Sequence, residues 1–141
     1  MVSLLDFIDR CKVSSVLNKN VKEFGKQYLF DNNDLTCWNS DQGSPQYVML
    51  SFNQNVVINR ITLQFQGGFS GHPAHTYLLL SDSNAVEVKH PIHPENSNSS
   101  QQFNIECDCH VKTLKLVFEK STDFYGRIIL YHFQIFGNIN I

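Results

Sequence analysis

Between Arg60 and Gln66 the chain alternates without a break: Ile61, Leu63 and Phe65 fall on one side, Arg60, Thr62, Gln64 and Gln66 on the other. A period of two puts successive side chains on opposite faces of an extended chain, which predicts a strand with one buried and one wet face. Tyr47–Phe52 repeats the scheme with Val48, Leu50 and Phe52 inward. Lys112–Glu119 does so again, with Leu114, Leu116 and Phe118 against Thr113, Lys115 and Val117. Eleven Phe, eleven Val and ten Ile against only two Ala supply the β-branched and aromatic vocabulary that a pleated surface favours. The expectation is an all-β fold.

Tyr125–Phe136 is different, because Ile128, Ile129, Leu130, Tyr131, Phe133, Ile135 and Phe136 leave almost no polar face. Such a run predicts a central strand covered on both sides. Shorter strands are expected at Thr76–Ser81, Val86–Lys89 and Gln101–Cys107. Turn clusters at 31–34, 42–45, 67–68, 81–84 and 94–100 separate them. Seven or eight short strands so punctuated point to a sandwich, barrel or jelly roll. Residues 3–10 could add one short helical turn, with Leu4, Leu5 and Ile8 on one side. The 141 residues fit a single domain, 1–141, with residues 1–11 a short segment packed against it.

Several function classes drop out. Eleven basic against thirteen acidic residues give a net charge of −2, which disfavours duplex DNA binding through a broad basic face. The opening MVSLLDFIDR carries two Asp and no basic or long apolar region, so it does not read as a signal peptide. No apolar run approaches the ~20 residues of a membrane span. Four cysteines without an export signal predict reduced thiols. Hydrolase, phosphate-loop, zinc-protease and dinucleotide motifs are absent, and the chain is expected not to be an enzyme.

A few segments remain as sites. Gln66–Gly71 is glycine-rich but leads to His72 and Pro73 rather than a helix, so it reads as an open turn that lets Phe69 stand out of the surface. Cys107-Asp108-Cys109-His110 has zinc-like ligands, yet no second pair at knuckle spacing completes a set of four. Two small side chains sharing one strand face explain Cys107 and Cys109, and Cys11 and Cys37 read as core thiols. Asp31, Asp34 and Thr36 make an oxygen-rich turn that could begin a calcium site or be held by its own Asx hydrogen bonds. In Ser121–Arg127, Phe124, Tyr125 and Arg127 have the composition of a recognition tip. Alternatively, Phe124 tucks into the barrel end and Arg127 pairs with Asp123.

Tyr28-Leu29-Phe30-Asp31, Thr36-Cys37-Trp38 and Tyr47–Phe52 resemble the opening of discoidin-type domains, the coagulation-factor C-type, galactose-binding-like family. Tyr131–Gly137 resembles that family's closing strand. Further blocks are similar to a small nuclear-receptor-associated branch of the fold: Val13–Asn18, Phe24-Gly25-Lys26, Thr36–Gly43, Phe65–Ser70 and Thr122–Arg127. The resemblance spans nearly the whole chain but is poor over about residues 70–100. It implies an eight-stranded discoidin-like jelly roll that binds through loops at one barrel end, here Asp31–Ser40, Gly67–His75 and Ser121–Arg127. It also implies an intracellular branch, since Cys11 lacks the C-terminal partner of extracellular members. His132 stands where calcium-binding members of the fold use an acidic residue, and Trp38 packs in the core more often than it stacks on sugars.

The reading that follows is a non-enzymatic, monomeric protein-binding module of nucleus and cytoplasm. Its implied partner is an orphan nuclear receptor, repressed by blocking the receptor's access to its DNA element. Phe69, His72, Phe124, Tyr125 and Arg127 are the expected contacts. No direct nucleic-acid or membrane binding is expected, and no cofactor, with calcium at Asp31, Asp34 and Thr36 the exception to test. No leucine-x-x-leucine-leucine box is present, so a box helix is not the contact. The alternatives are a sugar or small polar ligand module, or a subunit of a larger intracellular assembly.

Overall fold

The computed structural model describes residues 1–80 and 87–139. Among them the strands are β1 (Val2–Ser3), β2 (Ile8–Val13), β3 (Trp38–Asn39), β4 (Gln46–Phe65), β5 (Ala74–Leu80), β6 (Glu87–Ile92), β7 (Ser100–Asn104), β8 (Val111–Phe118) and β9 (Ile129–Ile139). The fold is the expected jelly roll, with nine strands rather than eight. β1 and β3 are two-residue additions to β9, while the alternating segments at 47–52 and 60–66 join into one strand, β4.

The 20 residues of β4 serve both layers. Its first half pairs with β2 on one edge and β8 on the other, and its second half with β7 and β9. Val56 sits at the crossing, opposite both Val111 and Ile139. One layer therefore runs β2–β4–β8–β5–β6, and the other runs β7–β4–β9 with β1 and β3 beyond.

The alternations do what their period requires. Val48, Leu50, Phe52, Ile61, Leu63, Phe65, Leu114, Leu116 and Phe118 all lie between the layers with at most 1% of their surface exposed. Each such burial contributes roughly 1.5–3 kcal/mol of hydrophobic free energy before entropy is charged against it. Phe65 and Phe118 meet edge to face at 5.5 Å. Thr62, expected to be wet, is only 6% exposed because β7 and β9 flank it, with Gln102 and Gln134 as its neighbours in register.

Four expectations need correction. Residues 5–7 make a single 3₁₀ turn and Ile8 already begins β2, with Leu4 buried and Leu5 and Ile8 partly so. The α-helix is α1 (Val21–Phe24), one turn capped by the Asn20 side chain. The apolar run 125–136 does not form one doubly covered strand. β9 starts at Ile129 and alternates, with Leu130, Phe133 and Ile135 buried and Tyr131 and Phe136 partly exposed. Finally, β7 ends at Asn104, so Cys107 and Cys109 lie in the following loop, half-buried and joined by a disulfide rather than reduced. The turn expected at 81–84, and residue 86 of the expected strand, lie outside the described residues.

Candidate functional site at the barrel-end loops

The tip at 121–127 is closed by its own polar groups. Ser121 Oγ accepts from the Asp123 N–H (2.9 Å) and donates to the Arg127 carbonyl (2.6 Å). The Asp123 carboxylate accepts from the Arg127 N–H (3.1 Å), Nε (3.0 Å) and Nη2 (3.3 Å). Those hydrogen bonds hold the Asp123 carboxyl below its ordinary range and push the Arg127 guanidinium further up. Gly126 closes the turn at φ +88°, where an added Cβ would stand 2.7 Å from the Gly43 carbonyl oxygen. What remains unsatisfied faces outward. Phe124 is 92% exposed and Tyr125 56%, with their rings edge to face at 5.2 Å.

A second loop braces the tip. Thr122 donates its N–H to the Ser70 carbonyl (2.9 Å), and Ser70 returns an N–H to Thr122 Oγ1 (3.0 Å). The Arg127 guanidinium lies 5.0 Å from the Phe69 ring centre and 6.0 Å from that of Tyr125, within cation–π range. Phe69, expected to stand out, is instead half-buried beneath that guanidinium. Of the two readings of the tip, each supplies half: Arg127 pairs with Asp123, and Phe124 stays in solvent. His72 is exposed further along, its ring 6.4 Å from that of His93.

The loop at 94–98 belongs to this cluster, and sequence reasoning missed it. Asn96 Oδ1 accepts from the Gly68 N–H (2.8 Å), Ser70 Oγ (3.3 Å) and Thr122 Oγ1 (3.5 Å), and Asn98 Oδ1 from the Gly67 N–H (2.6 Å). Nothing in the polar run 96–100 distinguishes these two amides from their neighbours. Another missed support is Gln46, 4% exposed, which accepts from Ser15 Oγ (2.7 Å) and donates to the Gly43 carbonyl (2.8 Å). Gly43 in turn donates to the Tyr125 carbonyl (2.7 Å).

The turn at 31–36 closes on itself. Asp31 accepts from Thr36 Oγ1 (2.5 Å) and the Asn33 N–H (3.2 Å), while Asp34 meets His132 Nε2 at 2.7 Å. The three calcium candidates share one turn, in which Thr36 is bound to Asp31 and Asp34 is taken up by His132. Among the described residues no group of three or more His, Cys, Asp or Glu could hold a metal. Leu35 projects beside them, 91% exposed.

Trp38 is fully buried, its Nε1–H donating to the Ser15 carbonyl at 2.9 Å, so it offers no stacking platform. Cys11 and Cys37 are free and half-buried. Burial raises both thiols, Cys11 to about 11 despite the opposing charge of Lys26. Burial also raises the Tyr131 phenol, which donates to Gln66 Oε1 at 2.9 Å.

No family model matches the chain. It is 48% identical over 135 residues to the nuclear receptor 2C2-associated protein of Danio rerio, covering 96% of this chain and 95% of the relative. To the Homo sapiens protein of the same name it is 44% identical over 129 residues, covering 89% of each. Among solved structures it superimposes on an F5/8 type C domain from Bacteroides fragilis with a TM-score of 0.78 at 12% identity, covering 93% of this chain and 92% of that one. The family 32 CBM from Clostridium perfringens NanJ, in complex with galactose, gives 0.72 at 12% identity over 89% and 91%. The structural likenesses establish the fold.

Proposed function

Because the chain belongs to the nuclear receptor 2C2-associated protein family, we propose that it is a non-enzymatic binding module that represses transactivation by an orphan nuclear receptor. It acts as a monomer in nucleus and cytoplasm, by covering the receptor so that the receptor cannot reach its DNA response element. The observation that supports this reading best is the aromatic pair Phe124 and Tyr125, exposed on a tip closed by the hydrogen bonds among Ser121, Asp123 and Arg127. Aromatic anchors beside an Arg make interface hot spots, and a braced loop has little conformational freedom left to lose on binding. Occlusion also suits a chain of net charge −2, which has no need to compete for phosphate itself.

The test combines receptor pull-down with a gel-shift assay of receptor on its response element. Wild type should bind the receptor and reduce the shifted band. Phe124→Ala/Tyr125→Ala, folded by circular dichroism, should do neither. Undiminished binding by that variant removes the loop assignment; receptor binding with an unchanged gel shift removes the occlusion mechanism.

One further reading has an observation in its favour: a neighbour of the same fold was solved with galactose bound. Phe124 could serve as a stacking face for a sugar ring. A glycan array without signal, with and without calcium, removes it.

A further inference from the structure

Away from these loops, the outer face of β2 forms a wall of a cleft of about 500 Å³ whose lining includes Arg10, Lys12, Lys26, Asp9, Met49 and Ser51. It continues into a second cleft of about 280 Å³, which shares Lys12 and Lys26 and adds the aliphatic side chains of Val13, Val16 and Val21. The arrangement follows from β2 being an edge strand. Ile8, Cys11 and Val13 pack on the core, leaving Arg10 and Lys12 outside, opposite Ser51 and Met49 of β4. Lys26 reaches over from the 3₁₀ turn Lys26–Leu29, and its Nζ donates to the Cys11 carbonyl at 2.7 Å. Among the described residues β2 pairs with β4 alone. A carbonyl held by a side chain marks the strand edge that has no β partner.

The charge here runs against that of the molecule. The whole chain is net acidic, yet three cations face this cleft against one carboxylate. Among the described residues, Arg10, Lys12 and Lys26 form none of the ion pairs. The positive strip extends across the sheet, since Met49 lies opposite Lys115 in register. Such a strip selects an anion, and its neighbours decide which kind. Single-stranded nucleic acid needs open aromatic faces for base stacking. The nearby rings of Tyr47 and Tyr77 are instead capped by the ammoniums of Lys115 (4.5 Å) and Lys89 (5.8 Å). Within the two clefts the non-polar walls are aliphatic.

We propose that the paired clefts along β2 dock an extended acidic peptide segment of a partner protein, its carboxylates on Arg10, Lys12 and Lys26 and an adjacent aliphatic side chain on Val13, Val16 and Val21. The six residues of β2 match an occupant of about 20 Å, roughly six residues in extended form. The edge carbonyl of Cys11, released by Lys26, supplies a main-chain acceptor of the sort strand-adding peptides use. This surface is independent of the receptor reading and stands or falls without it.

The probe is a fluorescein-labelled pool of hexapeptides with three Asp or Glu and two Leu, Ile or Val in varied order, titrated into the full chain at low salt. Anisotropy should rise, and amide shifts in NMR should concentrate at residues 9–13, 25–27 and 49–51. Lys12→Glu/Lys26→Glu should weaken binding at least tenfold with an unchanged melting temperature. Lys112→Glu, a single charge reversal on β8 outside both clefts, should retain it. A pool with Asn and Gln replacing the acids should not bind. Absence of binding by wild type, or undiminished binding by the double variant, overturns the proposal. A uridine decanucleotide that moves the same amides at lower concentration overturns it in favour of nucleic acid.

Discussion

In the turn at 31–36 a carboxylate closes the loop: Asp31 accepts from Thr36 and the Asn33 N–H, and nearby Asp34 is taken up by His132. In the tip at 121–127 Asp123 plays the same part, accepting from both the backbone and the side chain of Arg127. The difference lies in where the closing partner goes next. Thr36 is short and ends within its own turn. Arg127 reaches on to the Phe69 ring and ties the tip to a second loop, itself held by Asn96. The outward surfaces differ as well: one aliphatic side chain, Leu35, against an aromatic pair. Saturating a loop's polar groups thus leaves its apolar residues to define what a partner meets, and bracing by a second loop decides whether they are held in place.

That contrast is most easily broken at its outward surfaces. Phe124→Ala/Tyr125→Ala should cost about 2 kcal/mol or more of receptor affinity, roughly thirtyfold, with little change in melting temperature. Leu35→Ala, equally exposed, should leave affinity within about twofold. Titration calorimetry against the receptor measures both, and equal losses would erase the distinction between the loops.

The bracing comes next. Asn96→Ala removes an acceptor shared by Gly68, Ser70 and Thr122 and should lower stability by about 1–2 kcal/mol, read from urea denaturation. Amide exchange should quicken at 67–70 and 122 while the 31–36 turn is unaffected. If the two loops quicken together, they are not separately braced.

The same comparison shows what could be read from sequence. The sheet interior was legible because Ile61, Leu63 and Phe65 alternate with polar neighbours, and period two has one structural solution. β2 was not, because an edge strand packs one face only and Ile8–Val13 mixes acid, base and thiol. Phe124, Tyr125 and Arg127 were legible as a tip from residue type and a neighbouring glycine. Phe69 was misplaced and Asn96 unseen because both depend on which loops the fold brings together. No local pattern carries that information.

A smaller effect concerns pH. The Asp123 carboxyl is held below its ordinary 3.8, chiefly by the Arg127 side chain. The stabilisation from this pair is therefore complete above the ordinary carboxylate range and lost as pH falls through the depressed value. In a carboxyl-detected NMR titration, Arg127→Met should raise the Asp123 midpoint toward the ordinary value. A midpoint that does not move would mean the guanidinium does not hold the tip closed.

Smallest of all should be the response of the other loop to calcium. A calcium site needs six to eight oxygens converging on one point. At 31–36 both Asp31 oxygens already accept hydrogen bonds and one Asp34 oxygen faces an imidazole, a poor partner for a hard cation. Millimolar calcium should therefore leave the amide shifts of 31–36 and the melting temperature unchanged. His132→Asp, which sets a third carboxylate beside Asp34, is the variant in which a shift should emerge. A calcium-dependent rise in the wild-type melting temperature, with shifts at Asp31 and Asp34, would make this turn a ligand site in its own right, and the contrast with the aromatic tip would become one between two binding loops.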